Sequence, residues 1–326
     1  MDKLDILAEL ELCEGNVSGQ WLAEKLGVTR AAVWKGVKAL KNDGYRIGSK
    51  AGGGYYLEES ADVLLESKIR EHLRAKTFGK NITILQSVGS TSAELRTAAY
   101  AGAPEGTVLL AEHQTAGRGR LGRSFHSPCR NGIYMSLILR PQLTFTKVHM
   151  ITIMMAACVT EAIRTVTGLN PQIKWVNDIL LEGRKICGIL SESAVEGEYG
   201  ELSFVVVGIG ININSTADFP ELQGNTAAAL KEHTGKKFSR CEIIAEILNN
   251  LEKYYFPYIN EQDNRPFFEI YRNALCILNK TVTVVLGEKQ YNATVLELLP
   301  NGALLVRSDD GEIKELTYGE VSLRLQ

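Results

Sequence analysis

The sequence lacks the features that define several large classes of protein. Its six cysteines are scattered with no C-x-x-C pair, which argues against a zinc ribbon or a disulfide framework and suits a reducing cytosol. The first residues are acidic and then amphipathic, unlike a signal peptide, and the most apolar run, residues 151–159, is too short to span a bilayer. We therefore expect a cytoplasmic protein with no membrane association.

Strong net charge and repetition are also missing. The formal net charge is −2 over 326 residues, so any nucleic-acid binding must depend on a local basic patch. No internal repeat or low-complexity segment is present. A hydrophobic content of 45% is enough to build a sizeable core, and the length predicts two or three domains.

Against this background, the stretch from Gln114 to Arg123 is rich in arginine and glycine. It lies between strand-like segments at 107–111 and 133–139, so we expect a long loop between strands. Its glycines match G-x-G-x-x-G, but turn residues follow and no acid stands about twenty positions later, which argues against a dinucleotide-binding fold. A phosphate loop is absent. The guanidinium group of arginine can donate two parallel hydrogen bonds to a carboxylate or phosphate. We therefore predict that this arginine loop (residues 114–123) binds an anionic small molecule. The alternative is a solvated basic loop.

The first sixty residues predict a winged helix. Ser18 can cap a helix over 19–26, and Thr29 can cap another that runs to Lys41. A β-hairpin with a glycine-rich tip at 51–54 follows. Two helices joined by a short glycine-containing turn are typical of a helix-turn-helix.

Local charge on this unit favours DNA binding. Residues 29–50 carry six basic residues against one acidic residue. The second helix of such a motif enters the major groove through its N-terminal part. The alternative is a winged helix used for protein contact. The candidate DNA-binding residues are Ser18, Thr29, Arg30, Ala31, Lys35, Lys38 and Lys50.

The middle of the chain places polar residues at strand ends. Hydroxyl side chains at 90–92 follow a strand at 82–85 and precede a helix predicted from Ala93, where they could bind a neutral polar ligand or serve as caps. Lys185 starts an apolar strand, where it could hold negative charge or be an ordinary exposed lysine. We also predict helices over 62–76, 148–166 and most of 240–275.

Four motifs in order carry a family resemblance: GRGRLGR at 117–123, KWVND at 174–178, GRKICGIL at 183–190 and GIGIN at 208–212. Together they resemble the biotin–protein ligases. With the winged helix, the whole chain resembles the bacterial ligases that also repress the biotin operon. The resemblance implies an α+β multidomain fold: a winged helix over 1–65, a mixed α/β ligase domain of the biotin/lipoate type over 66–275, and an SH3-like β-barrel over 276–326. Short alternating strands in the last segment agree with the barrel.

The resemblance also implies the chemistry. Such enzymes form biotinoyl-5′-adenylate from biotin and MgATP and pass biotin to a lysine of a biotin carboxyl carrier domain. The implied catalytic residues are Arg118, Lys174, Asp178 and Lys185, with Asp178 as a ligand of Mg²⁺. The implied biotin-binding residues are Ser90, Thr91, Ser92, Gln114, Gly117, Arg118, Gly119, Arg120 and Lys185. The implied nucleotide-binding residues are Arg120, Arg123, Phe125, Lys174, Asn177 and Asn212.

Regulation is implied as well: adenylate acts as corepressor and favours a homodimer that binds operator DNA.

Two residues depart from the family pattern, which usually has Pro at Val176 and often Trp at Phe125. Loss of Pro should loosen a turn, whereas Phe keeps an aromatic lid without the indole N–H. Two alternatives remain: a lipoate-type ligase, and a ligand-sensing repressor without ligase activity.

Overall fold

The protein, described here from a computed structural model, divides into two compact units, Met1–Leu65 and Glu66–Gln326. The structure describes residues 3–13, 15–42, 45–50, 53–57, 62–196, 201–216, 227–317 and 319–323.

The first unit has the predicted helix-turn-helix and hairpin. Its elements are α1 (Lys3–Leu12), α2 (Gly19–Lys25), α3 (Arg30–Asn42), β1 (Ile47–Lys50) and β2 (Gly54–Leu57). β1 and β2 pair antiparallel, from Ile47 opposite Leu57 to Lys50 opposite Gly54. Apolar residues of all three helices, including Leu7, Leu22 and Val37, are buried in one core. Residues 51–52 of the predicted tip lie outside the described residues.

The second unit is organised by a seven-stranded sheet in the order β3-β4-β5-β9-β8-β7-β6. The strands are β3 (Asn81–Leu85), β4 (Thr107–Ala111), β5 (Gly132–Leu139), β6 (Gln172–Lys174), β7 (Asp178–Leu181), β8 (Arg184–Glu196) and β9 (Glu201–Asn212). β3 and β4 are parallel, and the other neighbours are antiparallel. Every residue of β5 is buried, so helices cover both faces of the sheet at its centre.

Among the described residues of this unit, six α-helices surround the sheet. They are α4 (Glu66–His72), α5 (Thr91–Tyr100), α6 (Val148–Thr167), α7 (Leu230–Thr234), α8 (Arg240–Glu261) and α9 (Arg265–Ala274). α5 packs on β5 and β9, whereas α6 packs on β8 and against α8 and α9. α6 is long and apolar enough to cross a membrane, but 72% of its most apolar window is buried inside the protein, as in a core helix.

Two helix predictions were wrong in extent. α5 begins at Thr91 rather than Ala93, and the helix predicted over 62–76 is only α4. Side chains of α8 accept hydrogen bonds from the backbone that follows α4. Asn249 Oδ1 accepts from the Arg74 and Ala75 N–H groups at 2.7 and 3.0 Å. Glu252 accepts from the next three N–H groups. These N–H groups are therefore satisfied outside a helix.

The C-terminal segment forms a five-stranded antiparallel sheet in the order β13-β12-β11-β10-β14. Its strands are β10 (Thr281–Leu286), β11 (Lys289–Leu298), β12 (Leu304–Ser308), β13 (Ile313–Leu316) and β14 (Glu320–Leu323). β14 returns to pair with the first strand, and β11 bends at an irregularity between Val295 and Glu297. This is the small β domain predicted from the alternating pattern.

Candidate functional site

A pocket lies on the sheet face that carries α5, beside the first turn of that helix. β9 contributes Gly208 and Gly210, which have no side chain of their own on this face. A Cβ at Gly208 would overlap the hydroxyl of Ser92, and a Cβ at Gly210 would overlap the ring of Phe125. The two glycines therefore allow other groups to lie directly on the β9 backbone.

Buried hydroxyls and one amide form a network at the α5 end of this pocket. Gln114 Oε1 accepts from the Thr91 backbone N–H at 2.9 Å and from its hydroxyl at 3.0 Å. Gln114 Nε2 donates to Ser127 Oγ at 2.9 Å. Ser136 Oγ lies 2.8 Å from the Thr91 hydroxyl and 2.9 Å from the Ser92 hydroxyl. Hydrogen-bond donors and acceptors thus lie side by side here, which suits the binding of a neutral polar ring.

Ser90 stands in the N-cap position of α5, yet its side chain makes no capping hydrogen bond. It is buried and lines the pocket instead. The simple capping interpretation of the hydroxyls at 90–92 therefore does not hold for Ser90.

The arginine loop folds back on itself as a small hairpin. Gly119 N–H donates to the Arg123 carbonyl at 2.7 Å, and Phe125 N–H donates to the Gly117 carbonyl at 2.9 Å. At the tip, Leu121 has φ +54° and is 77% exposed. A bulky residue with positive φ is an uncommon conformation that often marks functional loops.

A buried ion pair holds the base of this loop. Arg240, at the start of α8, donates to the two carboxylate oxygens of Glu112 at 2.7 and 3.1 Å and to the Gly132 carbonyl at 3.1 Å. The exposed fractions of the two charged side chains are 0% and 1%. Since Glu112 follows β4 and Gly132 begins β5, the pair connects both strands from which the loop emerges.

Arg120 is fixed toward the site by its neighbours. Its Nη1 donates to Asn177 Oδ1 at 3.0 Å, and its Nη2 donates to the Gly319 carbonyl of the C-terminal sheet at 3.4 Å. Asn177 Nδ2 donates in turn to the Ile189 carbonyl at 3.0 Å. The Asn177 amide thus orients an arginine as well as facing the cavities.

Lys185 is not an ordinary exposed strand-end lysine. Its Nζ lies 2.6 Å from Asp178 Oδ1 across the β7–β8 hairpin. Its carbonyl accepts from Ala228 N–H at 2.9 Å, and Asn212 Nδ2 donates to the Ala228 carbonyl at 3.2 Å. Asn212 therefore supports the backbone beside Lys185.

Most of the predicted ligand-site residues line two adjoining cavities, whereas Thr91, Gly117 and Asn212 line neither. The first, of about 50 Å³, is lined by Ser90, Ser92, Gln114, Arg118, Gly119, Arg120, Phe125, Asn177 and Lys185. The second, of about 200 Å³, adds Arg123, Lys174 and Asp178. Gly117 lies beneath the Phe125 carbonyl, where a Cβ would not fit.

Phe125 explains the small volume of the first cavity. Small-molecule sites usually measure roughly 300–1,000 Å³, far more than the 50 Å³ found. The Phe125 ring lies on Gly210, with Gly188 close by. The Phe125 ring, which was predicted to be an aromatic lid for the nucleotide, thus lies inside the pocket.

A third cavity, of about 790 Å³, adjoins the site. It shares Arg120, Asn177, Ile189 and Leu190 with the smallest cavity. Its other walls come from the start of α6, the end of α8 and the turn at 300–301 in the C-terminal sheet.

Comparison with known proteins identifies the family. Residues 86–212 match the Biotin/lipoate A/B protein ligase family, residues 3–56 an HTH domain, and residues 277–324 the Biotin protein ligase C terminal domain. The Bifunctional ligase/repressor BirA of Bacillus subtilis (strain 168) is 38% identical over 320 residues, which are 97% of each protein. The chain belongs to the biotin–protein ligase family.

Other members of the family extend the likeness. The BirA of Escherichia coli (strain K12) is 28% identical over 307 residues, 94% of this chain and 92% of that protein. A biotin protein ligase from Aquifex aeolicus, solved with biotin and ATP, superposes with a TM-score of 0.63 at 30% identity and covers 76% of this chain and 100% of its own. The predicted fold class and enzyme class are confirmed.

The segment around Val176 is well supported despite its departure from the family pattern. The Trp175–Val176 peptide bond is cis. Trp175 Nε1 donates to the Gly302 carbonyl at 3.0 Å, and the Tyr271 hydroxyl donates to the Val176 carbonyl at 3.1 Å. Contacts from α9 and the C-terminal sheet thus hold a turn that the sequence led us to expect to be looser.

In the winged helix, two predicted DNA-binding hydroxyls act as caps. Ser18 Oγ accepts from Trp21 N–H at 3.0 Å, and Thr29 Oγ1 accepts from Ala32 N–H at 3.2 Å. The remaining candidates are all exposed: Arg30, Ala31, Lys35, Lys38 and Lys50. The basic surface that the sequence predicted is therefore open to solvent.

The sequence did not reveal four residues that shape the site. Ser136 and Ser127 complete the hydroxyl network, and Glu112 and Arg240 hold the loop. Ser136 gave a weak signal, because a lone hydroxyl interrupts an apolar strand. Arg240 gave none, since it looks like an ordinary residue at the start of a helix.

Proposed function

We propose that this protein joins biotin to ATP, forms biotinoyl-5′-adenylate and transfers biotin to a lysine of a biotin carboxyl carrier domain. The observation that carries the proposal is the convergence of Arg118, Arg120 and Lys185 on one pocket that the buried residues Ser90 and Ser92 also line. The hydroxyl network suits the ureido ring, and the cations suit a carboxylate and a phosphate.

In the first step, a biotin carboxylate oxygen attacks the α-phosphorus, and the bond from that phosphorus to pyrophosphate breaks. Both reactants are anions, so the barrier is largely electrostatic. Fixed cations aimed at the developing charge lower it without reorganisation. Arg120 suits this role because Asn177 already orients it.

Mg²⁺ would arrive with the nucleotide. Asp178 fits such an ion, since Mg²⁺ commonly takes one or two carboxylates together with substrate phosphates. Among the described residues, no group of three or more His, Cys, Asp or Glu side chains could hold a metal without the nucleotide. Arg123 and Lys174 line the same 200 Å³ cavity, where they suit the phosphates.

In the second step, a neutral lysine amine attacks the acyl carbon and the bond from that carbon to the AMP oxygen breaks. AMP leaves with the electron pair, and the new amide nitrogen loses one proton to solvent. No nucleophile from the protein is needed. The 790 Å³ cavity provides a route for that lysine, because it adjoins the pocket at Arg120 and Asn177.

We further propose that the protein is a cytoplasmic repressor of a biotin operon, with the adenylate as corepressor. The exposed basic helix α3 supports operator binding. An edge of β8 that is unpaired among the described strands supports a homodimer. On one side, β9 pairs with β8 as far as Glu196, but on the other side β7 pairs with it only as far as Gly188. An edge of this kind can pair with a second copy, and Val195 on it is 46% exposed.

Pyrophosphate release on mixing with biotin and MgATP tests the ligase proposal. Arg118→Ala should lower this rate about 100-fold or more, as loss of one charge-stabilising donor does. Arg96→Ala is the matched control, since Arg96 contacts Glu192 at 3.3 Å and lines neither small cavity. Release with lipoate but not biotin would identify a lipoate-type ligase. Tight biotin binding without release would identify a sensor.

A further inference from the structure

The helix α3 carries a large aromatic side chain on its solvent side. Trp34 is 54% exposed, whereas Val33, Val37 and Leu40 of the same helix are buried. Trp34 therefore adds little to the core, and its helix propensity is lower than that of alanine or lysine. Contact with a partner is the explanation that this placement favours.

The surroundings of Trp34 restrict the partner to a polyanion. Arg30 lies one turn before it, Lys38 one turn after it and Lys35 beside it, and all three are exposed. Lys38 Nζ lies 5.3 Å from the centre of the indole ring. An apolar protein groove would have to desolvate these cations, whereas DNA would pair them with phosphates.

We propose that Trp34 contacts base edges in the major groove and helps to select the operator sequence. This inference rests on the DNA-binding role proposed above. The indole offers a flat apolar surface that suits the methyl group of thymine, and one N–H donor for a base acceptor. Because it is uncharged, it cannot neutralise a phosphate, so its contribution should differ in kind from that of the lysines.

A second tryptophan in the same unit provides the control. Trp21 of α2 is 38% exposed and also has a lysine over its ring, with Lys25 Nζ at 5.5 Å. The first helix of a helix-turn-helix crosses the DNA backbone instead of entering the groove. Trp21→Ala therefore removes a similar side chain from a helix that does not read bases.

The test uses the full-length protein with biotin and MgATP. The wild type first selects duplexes from a random library. Binding of the selected duplex and of unselected DNA is then measured at several salt concentrations for the wild type and for Trp34→Ala, Trp34→Phe, Trp21→Ala and Lys38→Ala. Circular dichroism and biotin-dependent pyrophosphate release check that each variant is folded.

Trp34→Ala should weaken binding of the selected duplex by roughly 5- to 150-fold, the range for loss of a good base contact. Its binding of unselected DNA and its salt dependence should not change, and Trp34→Phe should recover part of the preference. Trp21→Ala should keep the wild-type preference. Lys38→Ala should weaken binding of both DNAs and reduce the salt slope by about one.

Three results would overturn the inference. If Trp34→Ala keeps the wild-type preference, Trp34 reads no base, although the DNA-binding role stands. If it loses binding to both DNAs equally, Trp34 supports general binding and not selection. If the wild type itself selects no sequence, the repressor role is wrong and this inference falls with it.

Discussion

Replacing Arg240 with methionine would show how strongly the base of the arginine loop depends on charge. The guanidinium is fully buried and donates to Glu112 at 2.7 and 3.1 Å. Methionine fills much of the same space but leaves a buried carboxylate without this counter-charge, which costs about 3–5 kcal/mol. At about 2–4 °C per kcal/mol for a unit of this size, Tm should fall by roughly 6–20 °C.

Differential scanning calorimetry measures this change, with the double variant Glu112→Gln/Arg240→Met as the matched control. The double variant removes both charges and should regain most of the lost stability, as apolar or neutral replacements of buried ion pairs often do. A single variant as stable as the double one would refute the reasoning. Biotin-dependent pyrophosphate release should fall more in the single variant, because only that variant leaves a charged carboxylate without its counter-charge between the two ends of the loop.

Three further perturbations follow from the contacts. Trp175→Phe removes the donor to the Gly302 carbonyl and should cost about 1–3 kcal/mol in urea unfolding; an unchanged midpoint would contradict this. Phe125→Ala clears the face of Gly210 and should speed biotin association in stopped-flow fluorescence, whereas an equal rate would show that the ring is no obstacle. Burial raises the pKa of Glu232, but hydrogen bonds from two backbone N–H groups and a hydroxyl outweigh it and lower the pKa overall. Its stabilising effect is complete above pH about 4.3 and is lost as pH falls through the lower folded pKa, so Glu232→Gln should lessen the acid sensitivity of Tm.

The sequence predicted the helices and strands that local signals mark, namely the spacing of apolar residues and the capping or turn residues at the ends. Ser18 and Thr29 stand where helices begin, and the glycine-rich loop at 114–123 separates two apolar strands, as expected. Lys174, Asp178 and Lys185 also lie together at the site, because the strand–turn–strand units keep their ends close.

Long-range partners could not be predicted in this way. Glu112 and Arg240 are 128 positions apart, and no spacing rule connects them. The helix expected over 62–76 stops at His72 because Asn249 and Glu252 of a distant helix capture the following backbone. The same limit hid the role of Ser136, which depends on which helix end packs above its strand.

The amide of Gln114 has a consequence for selectivity. Its oxygen already accepts hydrogen bonds from Thr91, and its nitrogen already donates one to Ser127. A ligand ring that binds to this amide must therefore replace hydrogen bonds that already exist. A ring with both donors and acceptors can replace each displaced contact. A ring without them would leave buried groups unpaired, a defect that can cost a competing substrate a factor of about 10⁴–10⁵. The pocket would then select its ligand by whether the ligand can replace the hydrogen bonds of Gln114, and not by the size of the ligand.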